Sequence, residues 1–351
     1  MVDNFGDIGV TWRLARQLTL EHGVPVRLIV DDLRSFSRIE PTIDITRGSQ
    51  EVNGVTVIGW EQIVHLEPAS LVIESFAINL PMSYVAAMAA NVSPPVWINL
   101  EYLSGELWVG EHHLLPSPHP KLLLNKYFFF PGFAPNTGGL IRERNLLAER
   151  DAFASIDNVN HLRIFLFSYA NGAGDNLIRA MRESSTVVKC TIPHGAFAAN
   201  LQCESGLWGQ PSHDFAIETI PFVAQRTFDR VLWSHDVLFV RGEDSFVRAQ
   251  WAAKPFVWHI YPQSENAHWV KLHAFLLLYC DGLERNAALA LRELWRAWNA
   301  EDSAEIGTAW RRFIDHLPTL QVHAGVWSKK LAQMPDLVTN LLSFYQKSVK
   351  V

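Results

Sequence analysis

Val237-Leu238-Phe239-Val240-Arg241-Gly242-Glu243-Asp244-Ser245-Phe246 reads as an unbroken apolar strand, a glycine turn, and the acidic first turn of a helix running to about Trp251. An apolar run without alternation is what a strand covered on both faces of a parallel sheet requires. Gly242 lets the backbone approach closely. The N–H groups of Asp244 and Ser245, with the Ser245 hydroxyl, are then expected to be free to meet phosphate oxygens, and Arg241 can supply a forked cation. The plainer alternative is a helix that starts on acidic residues, as helices commonly do. Two acids beside a diphosphate would repel it, so one of them, Glu243, is expected to turn toward a sugar or a cation.

The same strand-and-helix rhythm runs outward in both directions. Val26–Val30, Val55–Ile58, Leu71–Ile73 and Val96–Leu100 precede it, and Leu162–Phe167, Val187–Thr191 and Phe256–His259 accompany it. Such alternation predicts an α/β fold with parallel sheets. A chain of 351 residues is too long for one ordinary core. The polar stretch from Arg142 to Asn158 is the expected boundary, giving domains 1–150 and 151–330, both Rossmann-like, and a helical tail 331–351. From Ala267 onward the pattern is mostly helical, through Ala287–Ala300 to Met334–Lys347. Two such domains are expected to face a central cleft, with ligands at the carboxyl ends of their strands.

A second constellation opens the chain: Asp3-Asn4-Phe5-Gly6-Asp7-Ile8-Gly9. Gly6 and Gly9 are expected to mark the turn into a helix whose apolar face carries Trp12, Leu14, Ala15 and Leu18. One aspartate can cap that helix and a second is then left over, so capping and chemistry stand as equal readings. A third group lies at other strand ends: Phe167-Ser168-Tyr169, the segment Pro221-Phe222-Val223-Ala224-Gln225-Arg226-Thr227-Phe228, and Tyr261. Aromatics there can stack on a nucleobase and Tyr169 can donate to a phosphate oxygen, although aromatics at apolar spacing are more often core.

Composition excludes several classes. Apolar residues make up 48% and charged residues 19%, with 13 Trp and 20 Phe, so the chain has ample material to bury. A net charge of −6 argues against a nucleic-acid partner. No apolar run approaches the roughly 20 residues a membrane span needs, and no signal peptide is read at the start. Cys190, Cys203 and Cys280 are an odd, scattered set that suits reduced thiols in a cytoplasmic protein. His112 and His113 adjoin Glu111 without metal-ligand spacing, so no metal is expected, and no GxSxG elbow is present.

Taken together, the run from Asp3 through Leu18, then Glu101-Tyr102-Leu103-Ser104, Gly138-Gly139-Leu140-Ile141-Arg142-Glu143-Arg144 and Arg241-Gly242-Glu243-Asp244-Ser245-Phe246 closely resemble the EarP family of bacterial protein-arginine rhamnosyltransferases. The resemblance implies a GT-B fold and inverting transfer from dTDP-β-L-rhamnose, with no metal or other cofactor. It also implies an arginine of translation elongation factor P as acceptor. By motif it places catalytic carboxylates at Asp3, Asp7 and Glu243. It places donor binding at Phe167, Tyr169, Phe222, Gln225, Phe228, Arg241, Asp244, Ser245 and Tyr261. The alternatives are a nucleotide-sugar-binding module with little or no turnover, or a transferase with another acceptor. The family carries about a strand's length of chain ahead of Asp3, where Met1 and Val2 stand here. A chain starting at Met1 is expected to lack that first strand, leaving its neighbours unpaired and an apolar trough open. A misassigned start is the simpler account.

Overall fold

A computed structural model describes residues 4–76, 78–153, 160–204 and 214–349. In chain order its elements are α1 (Asn4–His22), β1 (Arg27–Val30), α2 (Leu33–Ile39), β2 (Ser49–Val52), β3 (Val55–Gly59), β4 (Leu71–Ser75), α3 (Met82–Ala90), β5 (Val96–Leu100), α4 (Trp108–His112), β6 (Pro116–Pro118), β7 (Asn125–Phe129) and α5 (Leu146–Ala152). There follow β8 (Leu162–Leu166), α6 (Gly174–Arg182), β9 (Val188–Pro193), α7 (Ala196–Glu204), β10 (Phe215–Ile220), α8 (Gln225–Trp233), β11 (Val237–Arg241), α9 (Asp244–Ala252) and β12 (Phe256–His259). The chain ends in helices α10 (Ala267–Tyr279), α11 (Arg285–Asn299), α12 (Ile306–Asp315), α13 (Leu317–Ala332) and α14 (Leu337–Val349).

Two compact units result: residues 1–144 with 332–351, and residues 145–331. The division falls inside the polar stretch that the sequence marks, but the tail does not stand apart. α14 belongs to the first unit because Leu337, Val338 and Leu341 are buried in one cluster with Val10, Leu14 and Leu18 of α1 and Ile98 and Leu100 of β5.

In the first unit the sheet strands lie in two groups, β1-β3-β2 and β4-β5-β7-β6, with β2 and β6 antiparallel at the edges and the other pairs parallel. α1 is apolar on two sides. Ile8, Trp12 and Ala15 pack with Phe36 of α2 and Val55 and Val57 of β3, while Val10, Leu14 and Leu18 face β5 and α14. That double burial corrects the expected start of the helix. Gly6 and Gly9 lie within α1 and do not form a turn before it, because packing on both sides outweighs a glycine cost of about 1 kcal/mol each. Among the described residues β1 pairs on one edge only, with β3, and β4 on one edge only, with β5. Between them lies a cavity of about 380 Å³, lined by Leu14, Leu18, Val26, Leu28, Leu71 and Ile73 among others.

The second unit holds one five-stranded parallel sheet in the order β10-β9-β8-β11-β12. The chain lays down β8, β9 and β10 in one direction, then returns to place β11 on the other side of β8. β8 and β11 therefore flank the point where strand order reverses, and the loops leaving their carboxyl ends diverge around a crevice. Val237, Leu238, Phe239 and Val240 are each 0% exposed, as the unbroken apolar run predicts for a central strand. Buried Trp298 and Trp310 pack on Phe239 of β11, Trp298 edge-on at 5.2 Å.

Candidate functional site

The first unit carries one candidate site. Asp7 stands in the first turn of α1 and is 7% exposed, so its carboxylate sits at the positive end of the helix dipole without being the N-cap. The Tyr102 hydroxyl donates to Asp7 Oδ2 at 3.2 Å. Tyr102 follows β5, and its ring lies 4.7 Å from that of Phe76, which follows β4. Phe76 reaches that position in a left-handed backbone conformation, φ 56°, with its N–H donating to Leu100 O. Asp3 falls outside the described residues. The remaining polar residues of the opening motif are structural. Arg13, 1% exposed, forks onto Glu143 at 2.9 and 2.7 Å, and Gln17 Nε2 donates to Arg142 O at 2.8 Å. Two motifs far apart in sequence thus close on each other, and Arg142 ties them to the tail through Ala332 O and Met334 O.

The second unit carries another candidate site, at the carboxyl ends of β8, β11 and β12. The Arg241 guanidinium carbon lies 4.6 Å from the ring centre of Phe167 and 4.6 Å from that of Tyr169, a cation held by two π faces. Tyr261 meets Tyr169 edge-on at 5.4 Å. Phe228 on α8 packs against Phe167 at 5.6 Å and is buried, whereas Phe222 and Tyr261 are more than a third exposed. Gly242 takes φ 60°, the left-handed conformation that favours glycine, and its carbonyl accepts the Trp258 indole N–H at 2.8 Å. Glu243 is the half-buried N-cap of α9 and makes no side-chain cap hydrogen bond. The start of α9 is the positive end of its dipole, where an anion is favoured.

One expectation at this turn is corrected. The Ser245 hydroxyl is not held out for a phosphate. It donates to the Arg241 carbonyl and accepts the Arg241 N–H at 3.1 Å, because the left-handed glycine folds the helix start back over the strand end. Asp244 turns to a cation, its Oδ2 accepting Arg248 Nε at 3.1 Å and Gln225 Nε2 at 3.0 Å. Its charge is therefore directed inward, and Gln225 is joined to it.

Behind Arg241, the strand register places His259 of β12 directly beside it. His259 is 3% exposed, and Ser168 Oγ lies 2.6 Å from its Nδ1. Burial, then the nearby Arg241 and His268, hold its pKa down to about 4, so the ring is neutral and adds no charge to the pocket. Ser168, His259, Tyr102 and Arg248 were not singled out from sequence. For Arg248 a signal existed: Asp244 and Arg248 are four apart on α9, the spacing that places two side chains on one helix face. His112 and His113 diverge, the first bonded to Trp108 O and the second accepting the Phe130 N–H.

Comparisons with known proteins give the family and the fold class. Residues 1–346 match the family model described as Elongation-Factor P (EF-P) rhamnosyltransferase EarP. A protein-arginine rhamnosyltransferase of Pseudomonas putida is 47% identical over 372 aligned positions, covering 99% of this chain and 97% of that protein. One from Neisseria meningitidis is 32% identical, covering 100% of this chain and 96% of the other. A solved structure described as the structural basis for EarP-mediated arginine glycosylation of translation elongation factor EF-P matches with a TM-score of 0.66 at 36% identity, over 98% of this chain and 96% of that one. MurG of Acinetobacter baumannii matches with a TM-score of 0.52 at 13% identity, over 97% of this chain and 96% of the other, a likeness of fold alone. The fold is of the GT-B glycosyltransferase class.

Proposed function

We propose, from the premise that this chain belongs to the EarP family of elongation-factor-P rhamnosyltransferases, that it transfers L-rhamnose from dTDP-β-L-rhamnose to an arginine of translation elongation factor P, with inversion at the sugar C1. Family membership carries the enzyme class, a protein-arginine rhamnosyltransferase. The observation that supports the donor side is Arg241 set between Phe167 and Tyr169 at the strand-order reversal of a parallel sheet, ahead of the start of α9.

In this reading a guanidinium nitrogen of the acceptor attacks C1. The bond from C1 to the β-phosphate oxygen breaks and its electron pair leaves with dTDP, while one guanidinium proton passes to a carboxylate. Protonated guanidinium is a poor nucleophile, so a carboxylate must hold it and accept that proton. Asp7 has this role, its plane set by Tyr102, and Asp3 orients the guanidinium. Glu243 positions the sugar. Arg241, the Tyr169 hydroxyl and the first N–H groups of α9 stabilise the diphosphate as its charge grows, so no metal is invoked. Phe167, Phe222, Phe228 and Tyr261 enclose the nucleoside. A nucleotide sugar and a translation factor as substrates place the protein in the cytoplasm, and no described helix is long and apolar enough to cross a membrane.

The test is intact-mass analysis of elongation factor P after incubation with this protein and dTDP-rhamnose, with the modified residue located by fragmentation. One deoxyhexose on arginine is expected, and loss of transfer with donor binding retained is expected for Asp7→Asn. Consumption of donor without modification of the factor would remove the acceptor assignment.

A further inference from the structure

Along β4 successive side chains point to opposite faces of the sheet, as in any strand. Leu71 and Ile73 pack against the cluster that holds Val10 and Leu14 of α1. Val72 lies in the cluster of Trp97, and Glu74 accepts the Trp97 indole N–H at 3.0 Å. Continued alternation would send Phe76 to the Trp97 side. It lies instead in the α1 cluster, 9% exposed. The left-handed backbone, φ 56°, is what turns it, and among the described residues Phe76 is the one aromatic in that conformation. A bulky side chain crowds its own backbone there, so the conformation persists only where surrounding contacts over-determine it. Two contacts do so. The Phe76 N–H donates to Leu100 O at 3.0 Å, and the ring lies 4.7 Å from that of Tyr102, tilted by 31°. Tyr102 in turn donates to Asp7 Oδ2 at 3.2 Å.

We propose that Phe76 is a positioning residue for the transfer step: its strained backbone carries the ring across the sheet edge to fix the Tyr102 ring, and through Tyr102 the Asp7 carboxylate. This rests on the reading of Asp7 as the carboxylate that takes the guanidinium proton. A ring that only filled the core would alter stability, and its effect on the rate would be independent of the Tyr102 hydroxyl. A ring that acts through Tyr102 has nothing left to position once that hydroxyl is gone.

The measurement is kcat for transfer to elongation factor P by the full-length protein and its variants, with dTDP affinity measured on the same proteins by calorimetry. Phe76→Leu keeps the apolar burial and loses the flat ring. It is expected to lower kcat about threefold with dTDP affinity unchanged, and Phe76→Tyr, which keeps the ring face, to recover most of that loss. Placed in a Tyr102→Phe protein, Phe76→Leu should lower kcat almost no further. Should Phe76→Leu not fold, Phe76→Gly adopts the left-handed backbone freely and is expected to show the same loss and the same lack of additivity. Wild-type kcat in Asp7→Asn overturns the reading of Asp7 on which the proposal rests. An inactive Asp7→Asn, together with a Phe76→Leu that keeps the wild-type kcat or whose loss multiplies in full with that of Tyr102→Phe, overturns the positioning role alone.

Discussion

His259 makes the stability of the second unit depend on pH in a calculable way. The imidazole is 3% exposed and its pKa falls from 6.5 to about 4, first because burial disfavours the charged ring and then because Arg241 and His268 stand near it. The unfolded chain therefore binds a proton in a window where the folded chain does not, and stability falls as pH drops from 6.5 toward 4. Above that window the contribution is fully present. At 1.36 kcal/mol for each tenfold change in proton affinity, the loss is about 2 kcal/mol by pH 5 and ~3 kcal/mol at and below pH 4. His113 in the first unit, also held to about pH 4 by burial, adds the same sign of dependence. Urea unfolding of wild type and His259→Gln across pH 7 to 5 separates the two, since His113 is common to both proteins. Whatever the gap between the two at pH 7, it should shift in the variant's favour by about 2 kcal/mol on going to pH 5. A gap that stays constant over that range would falsify a neutral, buried His259. Donor binding should not change through His259 between pH 7 and 5, because the ring of the folded protein stays neutral until pH approaches 4.

Three further perturbations follow from geometry. Arg13→Met leaves Glu143 without its forked partner, and because Glu143 is 24% exposed the cost should sit near the low end for a broken buried pair, about 3 kcal/mol, read as a lower calorimetric transition for the first unit. Tyr102→Phe removes one hydrogen bond to Asp7 and should lower transfer roughly fivefold while leaving dTDP affinity unchanged; an equal loss in both would place Tyr102 on the donor side instead. Gly242→Ala forces an alanine to φ 60° and should cost about 1–2 kcal/mol of stability and weaken dTDP binding, measured by melting and by calorimetry.

The interior strands were legible because parallel strands covered on both faces leave a dense apolar signal. Val96–Leu100 and Phe256–His259 are found where the sequence puts them, and Val237–Val240 extends by Arg241 alone. Two of the strands that escaped notice lack that signal. Ser49–Val52 is a polar edge strand, antiparallel to β3, and Phe215–Ile220 lies at the edge of its sheet with only Phe215 buried. The start of α1 was misjudged for a related reason. Two glycines weigh against a helix locally, and only the packing of α1 on two sides at once, invisible along the chain, reverses that weight.

The candidate site divides in the same way. Sequence could bring Arg241, Gly242 and Ser245 to one turn, since they are neighbours, but it could not say where each side chain points. Arg241 and Arg248 make the difference plain. Both are arginines within the same strand-turn-helix, and both have acids within four residues. Arg248 lies on the covered side of α9 and directs its charge inward to Asp229 and Asp244. Arg241 lies at the end of β11, where its partners are two ring faces, and a guanidinium on a π face keeps its N–H fork in the ring plane and usable. The neighbouring histidine is held neutral by burial and does not compete. An anion approaching the carboxyl ends of these strands meets Arg241, with the charge of Arg248 already balanced behind it.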